Sequence, residues 1–155
     1  MTKMKKVYIV LSWAFVVFCL VFIFQMSQAS GEASKGLSDS LVRMILNYLG
    51  WNIPSVVLRK IAHFCEFAGL CMALFNAIHA SFRKKAYLWA FGLTAFYAIT
   101  DEIHQIFSMG RAGRLYDIAI DWAGAICGLA AAQIIYKLIR KKAERKKKDG
   151  NSETL

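Results

Sequence analysis

Val7 to Met26 is a run of twenty residues with no charged side chain, preceded by Lys3, Lys5 and Lys6. About 20 apolar residues wound as a helix span the ~30 Å hydrocarbon core of a bilayer, so this segment predicts a membrane crossing. A secretory signal has a shorter apolar region and a small-x-small cleavage site. Gln28-Ala29-Ser30 matches that site only faintly, so a retained span is expected.

Three further runs repeat the pattern. Ile61 to Ala80 is apolar except for His63, Glu66, Asn76 and His79, and Arg83, Lys84 and Lys85 follow it. Pro54 fits the first turn of that helix. Ala86 to Phe107 is uncharged until Asp101, Glu102 and His104. Tyr116 to Ile139 opens with Asp117 and Asp121 and is then apolar and rich in small residues. Between the first and second runs lies a polar stretch from Ser27 to Ser40, then Leu41 to Leu49, whose apolar positions fall at helical spacing. That segment is too short to span and predicts an interfacial amphipathic helix. The expectation is an all-α membrane protein of four transmembrane helices, with one short extracytoplasmic helix between the first and second. Residues 1–140 would form the domain and 141–155 a basic tail.

Composition agrees with lipid as the solvent. The 155 residues are 57% apolar and 19% charged, against about 25% charged for a soluble domain. The net charge of +10 does not point to nucleic acid, because the basic residues sit in clusters between apolar runs rather than along one face. Four cysteines, Cys19, Cys65, Cys71 and Cys127, sit in apolar runs without pairing spacing and read as small packing residues.

Charge also sets orientation. Four spans divide the loops into two sets, and fourteen of the 20 Lys+Arg fall in the set holding both termini. The positive-inside rule then predicts a multi-pass protein of the cell membrane with both termini cytoplasmic. Seven of the ten Asp+Glu lie toward the other face. Acids contribute little to orientation, so their placement needs another cause.

Helical spacing supplies one. His63 and Glu66 are three apart; Asp101, His104 and Gln105 lie within four; Asp117 and Asp121 are four apart, and Gly124 and Gly128 continue their stripe. Such spacings share a helix face. Glu66, Asp101 and Asp121 each lie one to two turns from the outer end of their spans. A charge facing lipid costs at least about 2.5–3.5 kcal/mol near the bilayer centre, so these groups are expected to face inward. The prediction is an outward-facing pocket lined by His63, Glu66, Asp101, Glu102, His104, Gln105, Asp117 and Asp121, rimmed by Lys60, Arg111 and Arg114. Arginine forks suit phosphate. His63 with Glu66, or His104 with Asp101, would serve as an acid–base pair if the site is catalytic. No HExxH or paired-cysteine spacing marks a metal, and neither a metal nor a cofactor is expected.

These residues resemble the VanZ-like membrane protein family. The likeness rests on Lys60-Ile61-Ala62-His63-Phe64-Cys65-Glu66-Phe67, Asp101-Glu102-Ile103-His104-Gln105-Ile106-Phe107, Gly110-Arg111, and Asp117 and Asp121 followed by Gly124 and Gly128, with Ser27-Gln28-Ala29-Ser30 opening the outer loop. It implies a small multi-span accessory protein of the cell envelope contributing to glycopeptide resistance of the teicoplanin type. The expected partners are membrane lipids, a lipid-linked cell-wall precursor or a lipoglycopeptide, with no nucleic acid; homo-oligomer formation is left open. Lys60, Arg111 and Arg114 would contact the anion, and Asp117 and Asp121 would orient the arginines. Two other classes compete: a membrane hydrolase or transferase acting on a lipid phosphate, and a structural partner of another membrane protein.

Overall fold

In a bilayer every backbone N–H and C=O must be bonded within the chain, and a helix does this segment by segment. The computed structural model describes residues 2–28, 40, 44, 54–82, 84–107 and 115–152. Among the described residues there are four long helices and no strand: α1 (Lys3–Gln28), α2 (Ser55–Ser81), α3 (Ala86–Phe107) and α4 (Leu115–Ser152). The amphipathic helix expected over Leu41 to Leu49 lies outside the described residues, apart from Met44.

Three of these helices are long and apolar enough to cross a membrane: Lys3–Ser27, Val56–Ser81 and Tyr116–Lys146. The 22 residues of α3 span about 33 Å at the helical rise, which is also sufficient length. Its apolar density is lowered by Asp101, Glu102, His104 and Gln105 in its last two turns. Helix α4 does not stop at Ile139 but runs on through the basic stretch to Ser152. Lys, Arg, Glu and Ala are all good helix formers, and Arg140 donates to Glu144 one turn on, at 2.8 Å.

Pro54 stands just before α2, and its carbonyl accepts the N–H of Val57 at 2.9 Å. The α2–α3 connection is short. Phe82 N–H closes α2 on Ile78 O at 2.8 Å, and Lys85, at φ 52°, reverses the chain so that its carbonyl accepts from Leu88 and Trp89. A short link of this kind makes the two helices antiparallel neighbours. Successive helices alternate in direction, so α2 and α4 run parallel. Helix α2 is central and packs on each of the other three, most extensively on α4.

The core places the larger side chains of α2 (Phe67, Leu70, Leu74, Ile78) against small residues of α3 (Ala86, Ala90, Ala98) and α4 (Ala125, Ala132), with Val16 and Ile23 of α1 at the side. Gly124 and Gly128 are where α4 meets the α2 backbone. A Cβ at Gly124 would collide with the Phe64 carbonyl, and one at Gly128 with the Ala68 carbonyl. Small residues four apart allow this approach, as the sequence predicts. Cys71 is buried, but Cys65 and Cys127 are exposed on the perimeter rather than packed in the core; none of the four is in a disulfide.

Candidate functional site

The buried positions of α3 are Ala86, Ala90, Thr94, Ala98, Asp101, Glu102 and Gln105. They form one stripe at three- to four-residue spacing, small over most of its length and acidic at its end. Helix α4 has the mirrored arrangement: Asp121 comes first, then Gly124, Ala125, Gly128 and Ala132. The face that packs is therefore the face that carries carboxylates. Close packing of the small residues fixes the helix rotation, and that rotation carries the acids inside. Asp101, Glu102, Gln105 and Asp121 are 4%, 6%, 8% and 3% exposed.

Two sets of contacts form at this acidic end. Between α1 and α3, Ser27 Oγ donates to Asp101 Oδ2 at 2.9 Å, and Gln105 Nε2 donates to the same oxygen at 2.9 Å and to Ser27 Oγ at 2.6 Å. The His104 ring lies 5.2 Å from Phe24 of α1. Tyr97, one turn deeper, donates to the Leu20 carbonyl at 2.8 Å. Between α2 and α4, Lys60 Nζ is ion-paired with Asp117 and sits 4.5 Å above the Tyr116 ring. His63 stacks on Phe67 and directs Nδ1 toward Asp121 Oδ1 at 3.8 Å, longer than a hydrogen bond. That oxygen is buried and has no hydrogen-bond partner among the described residues. Asp121 lies within electrostatic reach of Asp101, Glu102, Asp117 and Glu66, which joins the two sets into one layer.

The layer thus brings together Lys60, His63, Glu66, Asp101, Glu102, His104, Gln105, Asp117 and Asp121. Some of its contacts cross between helices, which spacing within one helix does not give. Asp117 engages Lys60, and His63 faces Asp121 on another helix. Asp101 is taken up by Ser27 and Gln105. Arg111 and Arg114 lie outside the described residues. Ser27 is the member that sequence reasoning placed in a loop. Its signal was present: Val16, Ile23 and Ser27 follow one another at intervals of seven and four, so Ser27 continues the buried face of α1. Among the described residues no three His, Cys, Asp or Glu side chains are grouped so as to hold a metal ion.

A helical membrane bundle with a carboxylate-rich polar layer buried near one end is the class that this fold and this geometry define. No match was found among curated proteins or among solved structures. The family model of VanZ/LLP1 matches residues 10–139. The chain belongs to the VanZ/LLP1 family.

Proposed function

We propose that the chain crosses the cell-envelope membrane of a bacterium four times with both termini in the cytoplasm, and that its acidic end is an outward-facing site for a lipid-anchored ligand. The ligand carries both an anion and hydroxyl or amine donors: an anionic lipid, a lipid-linked cell-wall precursor or a lipoglycopeptide. In this role it contributes to glycopeptide resistance of the teicoplanin type.

One observation supports this reading above the others. Asp121 Oδ1 is a buried carboxylate oxygen with no hydrogen-bond partner among the described residues, and the His63 imidazole stands 3.8 Å away. Leaving such an acceptor unsatisfied costs about 1–3 kcal/mol, more when charged, so the site is built to receive a donor. Four other carboxylates lie within electrostatic reach of that point and disfavour a bare anion there. The phosphate of a ligand therefore stays at the rim, where Lys60 is partly exposed and where Arg111 and Arg114 precede α4 in sequence. The hydroxyl-bearing part enters between the helices.

Native mass spectrometry of the purified protein tests the reading. The wild type is expected to retain a lipid-linked adduct, and Asp121→Asn to lose it while still accumulating in the membrane. An adduct equally retained by Asp121→Asn overturns it. In a teicoplanin-challenged host, Asp121→Asn is expected to remove whatever protection the wild type gives.

The His63–Asp121 approach favours a second reading, in which a carboxylate orients an imidazole to act as base toward a lipid phosphate, in a hydrolase or transferase. His63→Asn separates the two: under the binding reading it keeps the adduct and the phenotype, and under the catalytic one it keeps the adduct and loses the phenotype.

A further inference from the structure

The opposite end of the bundle holds a different kind of site. A groove of about 320 Å³ opens between the C-terminal part of α2, the α2–α3 turn and α4. Its floor is aromatic: Phe75 and His79 stack at 5.6 Å, and the Tyr136 ring meets His79 edge-on at 4.4 Å. Its rim is cationic, with Lys85 from the turn and Lys137 and Arg140 from α4. Among the described residues no carboxylate lines it. Glu144, which pairs with Arg140, stands one turn farther along α4. Neither Lys85 nor Lys137 has a carboxylate partner among the described residues.

We propose that this groove binds an anionic phospholipid of the adjoining leaflet, with its phosphate between Lys85, Lys137 and Arg140 and its glycerol and upper acyl carbons on the Phe75–His79–Tyr136 floor.

Three features of the groove argue for that occupant. Its lining charges are of one sign, and Lys85 and Lys137 have no carboxylate partner among the described residues, so a phosphate would neutralise them. They are contributed by two separate elements, so they define a point and not merely a basic helix. The groove is apolar beneath and charged above, the same division that a phospholipid has at the membrane interface, and basic pockets between spanning helices are where anionic head groups dock. Lys85 is also the one non-glycine residue with positive φ among the described residues, so the turn holds its Cα in a fixed and uncommon conformation at the rim. The proposal makes no use of the acidic layer and stands or falls separately from the function assigned to it.

The test uses the full chain in a neutral detergent, with phosphatidylglycerol and phosphatidylcholine of identical acyl chains added in turn and lipid adducts counted by native mass spectrometry. In an Asp121→Asn background, which removes any adduct of the acidic end, phosphatidylglycerol is expected to be retained about tenfold better than phosphatidylcholine, and adding Lys85→Gln/Lys137→Gln is expected to abolish the preference. The control double variant Lys141→Gln/Lys142→Gln, beyond the groove on the same helix, is expected to change it less than about twofold. Equal retention of the two lipids overturns the proposal. A control pair as damaging as the groove pair also overturns it, because the charge density of α4 alone would then be responsible. Displacement of the adduct by inorganic phosphate would make free phosphate the ligand and overturn it as well.

Discussion

The two ends of the bundle treat polar groups in opposite ways. At the acidic end Asp101, Glu102, Gln105 and Asp121 are buried between helices, and Asp101 is tied to Ser27 and Gln105. At the basic end Lys85, Lys137 and Arg140 stand at the perimeter of a groove, and the cross-helix bonds are more open. Tyr8 donates to Asn76 at 2.7 Å and Asn76 to Ser12 at 3.2 Å, with Trp13 donating to Ser81 at 3.1 Å nearby. The difference follows from side-chain length and register. Asp and Glu are short and lie on the same stripe as the packing alanines and glycines, so they go where the stripe goes. Lys and Arg are long enough to carry their charge to the interface wherever the backbone lies. Burial of the acids is not a device for stability, since charges removed from water regain at best what desolvation costs. It accords with the binding role proposed above.

The largest test of this comparison strikes the seam that both ends share. Gly128→Leu places a side chain on the Ala68 carbonyl, where nothing can yield except backbone. Its cost is expected to exceed the about 1–3 kcal/mol of ordinary overpacking. Accumulation in the membrane should fall to near background. Gly69→Leu is the control, since a Cβ there meets nothing within 4 Å, and it should accumulate as wild type. If Gly128→Leu accumulates normally, the stripe does not set helix rotation and the account of why the acids are inside fails.

Next in size is the contrast between the two hydrogen-bonded networks. Asp101→Ala strips an acceptor from two buried donors, and unmet buried donors cost about 1–3 kcal/mol each. Tyr8→Phe removes one bond at an exposed position, where about 0.5–1.5 kcal/mol is the upper expectation. Thermal unfolding in a fixed detergent should therefore show a distinctly larger drop for Asp101→Ala. Equal drops would erase the distinction between a buried end and an open one. Ser27→Ala should fall between the two, because it leaves Gln105 and Asp101 bonded to each other.

How much of this could be read from residues alone divides along the same line. The apolar runs, the inward face of α3 and α4 and the glycine contact were legible, because they depend on spacing within one helix. The grouping of Lys60, His63, Glu66, Asp101, Gln105 and Asp121 at one end followed from counting turns. What was not legible depends on how helices sit against each other. No local pattern says that Asp117 would be claimed by Lys60, or that His63 would stand near Asp121 on another helix. Ser27 was hidden because a serine after an apolar run reads equally as a loop. Only its register with Ile23 and Val16 separates the two, and that register matters only once α1 is known to pack. The groove under Lys85 is formed where the α2–α3 connection meets a part of α4 distant in sequence, and no pattern within one helix announces that meeting.

The smallest stability effect is expected where the contact looks strongest. Lys60 and Asp117 are ion-paired, but their side chains are 28% and 37% exposed, so water and salt screen them. A double-mutant cycle with Lys60→Gln and Asp117→Asn should give a coupling of about 0.2–1 kcal/mol, as for other exposed pairs, and less at high salt. The pair is then a poor staple, and under the proposed function a ligand phosphate at the rim would compete with Asp117 for a lysine held only weakly. Lys60→Gln should leave thermal unfolding nearly unchanged and yet lower retention of the lipid-linked adduct. A large coupling that persists in salt would mean the pair is structural, and Lys60 would then be unavailable to a phosphate.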